Sequence, residues 1–270
     1  MFVIETIAHR LKRGCETMAY PKGLAPALPD RHGGALKVEV DKCSSGCTAC
    51  IPVCPTEAIV RPAGEPVVLD LGRCLFCAAC VETCPQGAIV QTGDHRMASR
   101  RREDLLLGAP EKAKVRLASA LDEKLRKLFG RSLRLRQVSA GGCNACEADT
   151  NVLATIGWDI GRFGVQFVAS PRHADGVLIT GPVSKNMELA LTKTYEAVPA
   201  PKIVIAVGAC AIAGGPFVGH PQVHNGADCV VPVDLYIPGC PPHPLTILDG
   251  LLRLLGRLEE EPGGRLALGR

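Results

Sequence analysis

The sequence predicts an α+β unit followed by an α/β unit with a parallel sheet. A four-cysteine run occurs twice, at 43–54 and 74–84, and each copy leads into Ala-Ile-Val, which predicts a small duplicated unit with short strands. From Leu133 onward, short apolar runs of strand length alternate with helical patterns, as in sheets built from parallel strands. The chain has 270 residues, enough for two such units.

The first residues, 1–34, predict a helix followed by an extended arm. Apolar residues of this helix share one face, which favours either packing on the chain's own domain or docking onto a membrane surface or a membrane partner; these residues are Ile4, Ile7, Ala8 and Leu11. Met1 to Gly14 has no basic start, long apolar stretch or small-residue cleavage site of a secretion signal. Tyr20 to Gly34 is rich in proline and glycine and is expected to be extended.

The second cysteine run, Cys74 to Pro85, has the spacing C-x2-C-x2-C-x3-C-P. This is the ligand run of bacterial-type iron–sulfur ferredoxins, in which three close thiolates bind one cluster and the fourth binds another. Zinc fits less well, because a zinc site takes two cysteines from one turn and its other ligands from elsewhere. Disulfides fit poorly, because bridges at these spacings would be strained.

The first run, Cys43 to Pro55, repeats the pattern with one departure: three residues, not two, separate its first two cysteines. We expect the extra residue to bulge out of the Ser-Ser-Gly loop and ligation to survive. Each half is predicted to form a loop, a short helix and a strand, giving an α+β bacterial-type 2×4Fe–4S ferredoxin domain over 35–95. Crossed ligation predicts one cluster on Cys43, Cys47, Cys50 and Cys84, and another on Cys54, Cys74, Cys77 and Cys80.

Residues 96–136 are predicted to be a basic helical connector. They carry 13 basic and five acidic residues, and Leu117, Leu121, Leu125 and Leu128 share a helical face. A solvated amphipathic helix is one interpretation, and a surface for an acidic subunit or anionic lipid headgroups is another. No nucleic-acid partner is expected, because aromatic residues are only 4% of the chain and the segment offers no base-stacking groups.

Residues 137–256 are predicted to form an α/β domain with flavodoxin-like layering, followed by a tail at 257–270. Predicted strands lie near 133–138, 165–168, 177–180, 203–207 and 229–237, and predicted helices near 147–156, 184–196 and 244–254. The apolar run from Ile203 to Gly219 contains glycines and a proline, so it is interpreted as a strand and a loop rather than a membrane span. The chain is therefore expected to be soluble or peripheral.

Four cysteines of this domain, each in a glycine-containing stretch, are expected where strands end. Such edges carry the sites of parallel sheets, so a third cluster is predicted on Cys143, Cys146, Cys210 and Cys240. Glu147 opens a helix, where any acid is favoured by the helix dipole; the functional alternative is a polar contact with a partner subunit and proton transfer. Twelve of the fourteen cysteines thereby have a role; Cys15 is left as structural and Cys229 is expected to pack internally.

These motifs resemble two subunits of known complexes. Residues 1–95, including Leu71-Gly-Arg-Cys-Leu-Phe-Cys, resemble the two-cluster ferredoxin subunit of formate hydrogenlyase-type hydrogenases and of respiratory complex I. Residues 137–256 resemble the small subunit that carries the cluster nearest the active site in the same complexes. The matching strings include Gly208-Ala-Cys210 and Val231-Pro-Val-Asp-Leu-Tyr-Ile-Pro-Gly-Cys240-Pro-Pro. The resemblance implies a fusion of two subunits and three 4Fe–4S clusters.

The spacing of Cys143 and Cys146 separates two branches of this family. In complex I the corresponding first two ligands are adjacent, whereas the C-x2-C spacing here resembles the energy-converting (group 4) nickel–iron hydrogenases. The resemblance implies an electron-relay subunit on the cytoplasmic face of the membrane. Its implied partners are a nickel–iron hydrogenase-like large subunit, antiporter-like membrane subunits and an electron donor such as a formate dehydrogenase module or a ferredoxin. The alternative is the equivalent subunit of a complex I-like quinone- or ferredoxin-oxidoreductase.

Overall fold

The computed structural model describes residues 2–108, 114–130, 132–260 and 266–268. Met1, part of the predicted connector and part of the predicted tail lie outside the described residues. The chain begins with helix α1, Phe2–Arg13. Its apolar side chains at Val3, Ile4, Ile7 and Leu11 are all more than half exposed. This face is therefore not covered by the chain's own domains, contrary to one of the two expectations for it.

The duplicated unit contains two small antiparallel sheets. Strand β1, Leu36–Val38, pairs with β4, Ile89–Gln91. Strand β2, Ile59–Val60, pairs with β3, Val68–Asp70. The Ala-Ile-Val segments that follow the two cysteine runs thus contribute β2 and β4, and their isoleucines are fully buried. The predicted α+β unit is confirmed.

The two repeats differ in their helices. The second repeat forms the expected short helix α2, Ala79–Thr83, but the first repeat forms only turns between Thr48 and Cys54. Pro52 explains the difference, because proline lacks an N–H and disfavours helical geometry in the residue before it. The second repeat has no proline within its helix.

The segment after the duplicated unit is less helical than predicted. Strand β5, Leu106–Leu107, joins the ferredoxin unit by pairing with β3, and helix α3 covers only Glu123–Phe129. Asp122 accepts a hydrogen bond from Leu125 N at 3.0 Å and so caps this helix at its start. The predicted four-leucine face is wrong: Leu117 and Leu121 precede the helix, and Leu128 is 53% exposed.

The second unit is built on a five-stranded, entirely parallel sheet. With these strands counted from the first in the chain, their order across the sheet is 2-1-3-4-5. The predicted α/β unit with a parallel sheet is confirmed. Its strands are β6 Leu133–Ser139, β7 Val165–Phe167, β8 Gly176–Thr180, β9 Ile203–Val207 and β10 Leu235–Ile237. Its helices are α4 Ala145–Val152, α5 Lys185–Ala197, α6 Ala209–Ala213 and α7 Pro244–Leu254.

The central strands are buried on both faces, which explains their continuous apolar sequences. Successive residues of β9 alternate between two hydrophobic cores: Val204 lies in the core shared with the ferredoxin unit, and Ile203 and Ile205 lie in the core shared with α7. One face of the sheet thereby joins the two units. A short hairpin, β11 Leu258–Glu260 and β12 Leu266–Leu268, follows α7. None of the described helices is long and apolar enough to cross a membrane.

Candidate iron–sulfur sites

One cavity in the ferredoxin unit is lined by four cysteines drawn from both repeats. Three come from the first run and one, Cys84, comes from the end of the second run. Burial raises the pKa of Cys50, and the charges of its three neighbours act in the same direction. The four thiols therefore lie near one another. The cavity is lined by Cys43, Cys47, Cys50 and Cys84.

A second cavity repeats this arrangement with the roles of the two runs exchanged. Here Cys54 ends the first run and joins three cysteines of the second. Burial raises the pKa of Cys74 to about 12 and that of Cys80 to about 11, and neighbouring thiolates add to both shifts. The cavity is lined by Cys54, Cys74, Cys77 and Cys80.

The donor sets fit 4Fe–4S clusters. Each cavity offers four thiols and little else that could bind a metal, and thiolates are the ligands these clusters use. The raised pKa values oppose ligation only while no iron is bound, because the positive charge of iron favours the thiolate form. Within the described residues, no three His, Cys, Asp or Glu side chains are close enough together to hold a single metal ion.

Backbone amides approach the sulfur atoms at equivalent positions of the two repeats. Ala58 N donates to Cys54 Sγ and Ala88 N donates to Cys84 Sγ, each at 3.2 Å. Both pairs belong to the sequence Cys-Pro-x-x-Ala, so the same turn is formed twice. Such donors stabilise negative charge on a ligating sulfur and influence the potential of the group it holds.

The loop with the extra residue is held by an arginine that sequence reasoning missed. Arg61 lies just after β2 and donates to Cys43 Sγ at 3.0 Å, to Cys47 O at 3.0 Å and to Ser44 O at 3.3 Å. It also donates to Glu65 O at 2.9 Å. The guanidinium thus contacts three residues of one loop. The position of Arg61 one residue after Ala-Ile-Val was visible in the sequence, but its contact with Cys43 depends on the fold.

The remaining predicted cysteines meet at the carboxyl edge of the parallel sheet. Cys143, Cys210 and Cys240 follow strands β6, β9 and β10, and Cys146 lies in the first turn of α4. Burial raises the pKa of Cys210 to about 12, with the charges of Cys240 and Cys143 acting in the same direction. Burial likewise raises the pKa of Cys146, and the other three thiols of the set contribute. The set therefore converges on one place.

Two glycines lie so close to the thiols of Cys146 and Cys210 that a side chain at either position would collide with them. A Cβ on Gly208 would lie 2.5 Å from Cys146 Sγ, and a Cβ on Gly215 would lie 2.7 Å from Cys210 Sγ. Both residues also have positive φ, +89° and +55° respectively, which side chains rarely adopt. The glycines are thus required by the close approach of the thiols, and the donor set fits a third cluster.

The C-x2-C segments of α2 and α4 share a backbone geometry. The residue after the first cysteine is left-handed in both, with φ of 65° at Ala78 and 70° at Asn144. The second cysteine, Cys80 or Cys146, then lies in the first turn of a helix. The same local turn therefore presents a pair of thiols in both units.

Glu147 lies beside the third set and is buried. It is 5% exposed, and its Oε1 accepts hydrogen bonds from Ser139 Oγ at 2.5 Å and from Thr180 Oγ1 at 2.7 Å. Its negative charge contributes to the raised pKa of Cys146. The carboxylate is thus fixed by two hydroxyls from neighbouring strands, close to the thiols.

The two remaining cysteines lie outside the three sets. Cys15 is exposed at the end of α1, where a hydrogen bond from the backbone of Thr17 lowers its pKa. Cys229 was expected to pack internally, but the structure places it at the surface, where its Sγ lies 3.8 Å from Asp228 Oδ1. The expectation failed because the chain from Cys229 to Asp234 is irregular, and the strand begins only at Leu235.

Two family descriptions match separate parts of the chain. Residues 143–254 match the family described as NADH ubiquinone oxidoreductase, 20 Kd subunit, and residues 42–89 match the 4Fe-4S dicluster domain. The chain is 43% identical over 135 residues to the probable membrane-bound hydrogenase subunit mbhJ of Pyrococcus furiosus, an alignment that covers 50% of this chain and 81% of the relative.

Two further relatives are matched over smaller parts of their length. Formate hydrogenlyase subunit 7 of Escherichia coli is 42% identical over 145 residues, covering 53% of this chain and 56% of the relative. An NADH-quinone oxidoreductase subunit of Rubrobacter xylanophilus is 50% identical over 104 residues, covering 38% of this chain and 41% of the relative. The chain therefore spans about half the length of these two proteins.

The fold and its cysteine sites define an iron–sulfur subunit of an oxidoreductase complex. The chain belongs to the same family as the hydrogenase subunit mbhJ; its residues 143–254 match the 20 Kd subunit of NADH ubiquinone oxidoreductase, and a 4Fe-4S dicluster domain precedes that unit.

Proposed function

We propose that this chain relays single electrons through three 4Fe–4S clusters to a separate catalytic subunit. The grouping of twelve cysteines into three sets of four carries this proposal, because two sets each line a cavity of their own and the charges of the third set act on one another at the carboxyl edge of the sheet. The proposed ligands are Cys43, Cys47, Cys50 and Cys84 for the first cluster, Cys54, Cys74, Cys77 and Cys80 for the second, and Cys143, Cys146, Cys210 and Cys240 for the third.

The clusters supply reversible one-electron chemistry when bound. The chain supplies burial, fixed thiol positions and hydrogen bonds to sulfur, such as those from Ala58 N and Ala88 N. In this proposal the chain has no substrate-converting site of its own. Glu147 is proposed as a proton-transfer residue toward the catalytic subunit, supported by its burial next to the third set.

The packing of the two units supports an order for the relay. Gly72 lies two residues before Cys74 and packs against Ile212, which lies two residues after Cys210. A Cβ on Gly72 would lie 2.7 Å from Ile212 Cγ2, so the side chain of Ile212 packs directly on the backbone of Gly72. This contact joins the turn that leads into Cys74, a proposed ligand of the second cluster, to helix α6, which carries Cys210, a proposed ligand of the third. It supports a relay in which the second cluster passes electrons to the third and the first cluster lies at the outer end.

An ion pair strengthens the same junction. Arg102 donates from both terminal nitrogens to Asp70, at 2.8 and 2.6 Å, and Asp70 also accepts from Gly72 N at 2.8 Å. A bidentate pair of this kind is more specific in geometry than a single contact. It fixes the turn before Cys74 against the segment that leads into the second unit.

The second unit is proposed to be flavodoxin-like. The strand order 2-1-3-4-5 is that of flavodoxin-like sheets, and its four cysteines lie at the carboxyl edge, where such sheets carry their sites. This edge is proposed to face the catalytic subunit.

The proposed partners follow from the relatives. A nickel–iron hydrogenase-like large subunit, antiporter-like membrane subunits and a donor such as a formate dehydrogenase module or ferredoxin are supported by the similarity to hydrogenase subunits and by the C-x2-C spacing of Cys143 and Cys146. The second candidate is the equivalent subunit of a complex I-like oxidoreductase, supported by the similarity to an NADH-quinone oxidoreductase subunit. Nickel analysis of the large subunit that co-purifies with this chain separates the two.

The chain is proposed to be peripheral, at the cytoplasmic face of a membrane. The exposed apolar face of α1 supports attachment to the membrane or to a membrane partner. Deletion of residues 1–14 is expected to loosen the complex without changing its iron content. Attachment that survives this deletion would contradict the role given to α1.

Substitution of one ligand in each unit tests the relay. In the assembled complex, Cys240→Ser is expected to stop donor-driven turnover while the ferredoxin clusters stay reducible, because an oxygen ligand weakens the third site. Cys77→Ser is expected to block reduction by the donor, while artificial reductants acting near the catalytic subunit still work. Cys229→Ser, at an exposed cysteine of the same unit as Cys240, is the matched control. It should change neither donor-driven turnover nor the reduction of the clusters by the donor. Donor-driven turnover in an intact Cys240→Ser complex would contradict the relay.

A further inference from the structure

The two ferredoxin cavities are related by the sequence repeat but differ in one cation. Each repeat continues from its cysteines into Ala-Ile-Val, and the next residue is Arg61 in the first repeat and Gln91 in the second. Gln91 is exposed on β4, paired with Leu36. Arg61 instead points its guanidinium at Cys43 Sγ, 3.0 Å away. The duplication therefore produces one site with a cation on a ligand sulfur.

Arg61 contacts the part of the first cysteine run that contains the extra residue. The extra residue lies between Cys43 and Cys47, and Arg61 bonds the carbonyl oxygens of Ser44 and Cys47 as well as the Cys43 sulfur. It is itself anchored by Glu65 O at 2.9 Å. A planar guanidinium with several fixed donors can hold such a loop in one shape, which a lysine with a single ammonium cannot do.

We propose that Arg61 is a positioning residue that closes the loop between Cys43 and Cys47 and raises the reduction potential of the cluster bound by Cys43, Cys47, Cys50 and Cys84. The inference rests on the proposed function, because it requires a cluster at that site. Beyond that function, Arg61 would give the two ferredoxin clusters different reduction potentials.

The direction of the effect follows from charge. A 4Fe–4S cluster with four thiolates carries about −2 when oxidised and about −3 when it has accepted one electron. Reduction adds one electron to the cluster, and the guanidinium contributes its positive charge to both states. A fixed cation and its hydrogen bond stabilise the more negative, reduced state more strongly. The half-buried position of Arg61 reduces the screening of this interaction by solvent and salt.

The test is a redox titration of the full chain, followed by electron paramagnetic resonance, with iron content measured on the same samples. Arg61→Gln installs the residue that the second repeat carries. It is expected to lower the potential of one ferredoxin component by about 59 mV, the equivalent of about a tenfold change in a one-electron equilibrium. Arg61→Lys keeps a cation but lacks the planar guanidinium with its several donors. It is expected to give a potential between those of the wild type and Arg61→Gln.

Arg73→Gln is the matched control. Arg73 is also half-buried in the ferredoxin unit, but its guanidinium donates to Glu57 O at 3.5 Å and not to a sulfur. It should leave the component that Arg61→Gln shifts unchanged. If Arg61→Gln fails to retain the cluster, Arg61→Met, a second variant without the charge, carries the test, and a potential equal to that of the wild type in that variant overturns the inference.

The outcomes separate this inference from the proposed function. If the wild-type chain holds no ferredoxin clusters, the proposed function fails. If the clusters are present in every variant and no potential differs, the proposed function survives and the role of Arg61 is overturned. A shift of equal size in the same component in Arg73→Gln also overturns it, since the effect would then be a general one of removing positive charge.

Discussion

The hydroxyl of Tyr20 donates a hydrogen bond to Asp249 Oδ1 at 3.1 Å and so joins the N-terminal arm to helix α7. The other carboxylate oxygen of Asp249 accepts from Arg253 Nε at 2.8 Å. All three side chains are at most 2% exposed. Burial raises the pKa of Tyr20, so the hydroxyl remains a donor at any physiological pH. The arm, predicted only as an extended segment, is thus anchored in the core of the second unit.

Tyr20→Phe is expected to destabilise the chain by about 1.5–3 kcal/mol, because a buried charged group loses a hydrogen-bond donor. Anaerobic thermal unfolding of the cluster-loaded chain, followed by circular dichroism, measures the change. Tyr195→Phe is the control, since within the described residues the hydroxyl of Tyr195 makes no hydrogen bond while its ring contacts Lys202. Equal melting temperatures for Tyr20→Phe and Tyr195→Phe would contradict the anchoring role.

The stability of the chain is expected to fall as the pH drops below about 6.5, in part because of His95. His95 is 8% exposed, and its ring packs edge-on against the ring of Tyr20, with 6.0 Å between the ring centroids. Burial lowers its pKa, an effect that Asp249 and Asp94 oppose and that Arg96 and His32 reinforce. The unfolded chain therefore binds a proton at this residue at a higher pH than the folded chain does. Unfolding consequently becomes easier as the pH falls through the unfolded pKa.

Replacing His95 by Gln should make the loss of stability between pH 7.5 and 5.5 smaller than in the wild type. His9→Gln, at an exposed position of α1, is the control and should leave the pH dependence as it is. Melting temperatures of the three proteins across this pH range are the measurement. A pH dependence in His95→Gln as steep as that of the wild type would exclude His95 as a contributor.

Gly208→Ala is expected to remove the third cluster while leaving the two ferredoxin clusters. The added Cβ would lie 2.5 Å from Cys146 Sγ, and the φ of +89° would be strained for alanine. Gly157→Ala is the control, because a Cβ there meets no atom within 4 Å. Iron content should fall by about a third in the first variant and stay constant in the second, given four irons per cluster. Full iron content in Gly208→Ala would show that the thiols do not converge as described.

Glu147→Gln is expected to raise the potential of the third cluster and slow proton-dependent turnover of the assembled complex. The amide oxygen can still accept from Ser139 and Thr180, so the fold is retained, but the negative charge beside Cys146 is lost. Glu196→Gln, at an exposed position paired with Lys193, is the control. Redox titration and turnover assays measure the two effects. A raised potential with unchanged turnover would leave Glu147 an electrostatic role and exclude proton transfer.

Much of the architecture was predictable from local sequence. Predicted positions for β9 and α7 agree with the structure, because β9 is a continuous apolar run between Lys202 and Gly208 and α7 begins at a proline. The pairing of the cysteine runs was predictable from the repeat, since Cys54 and Cys84 each precede a proline at the end of a run. In these places the local pattern and the final packing require the same conformation.

Other features depended on contacts that the sequence does not display. Helix α3 is shorter than its leucine spacing predicts, because Asp122 caps it, and the helix of the first repeat is absent because of Pro52. The anchor at Tyr20 spans 229 positions, and the contact of Arg61 with Cys43 spans 18. Such long-range polar contacts follow from the fold and have no periodic signal in the chain.

The iron and acid-labile sulfide content of the full chain, prepared without oxygen, tests the central claim most directly. Three clusters predict about twelve iron and about twelve sulfide per chain, without stoichiometric zinc. About eight of each would contradict the account, because either the set at the sheet edge or the set that includes Cys43 would then hold no cluster.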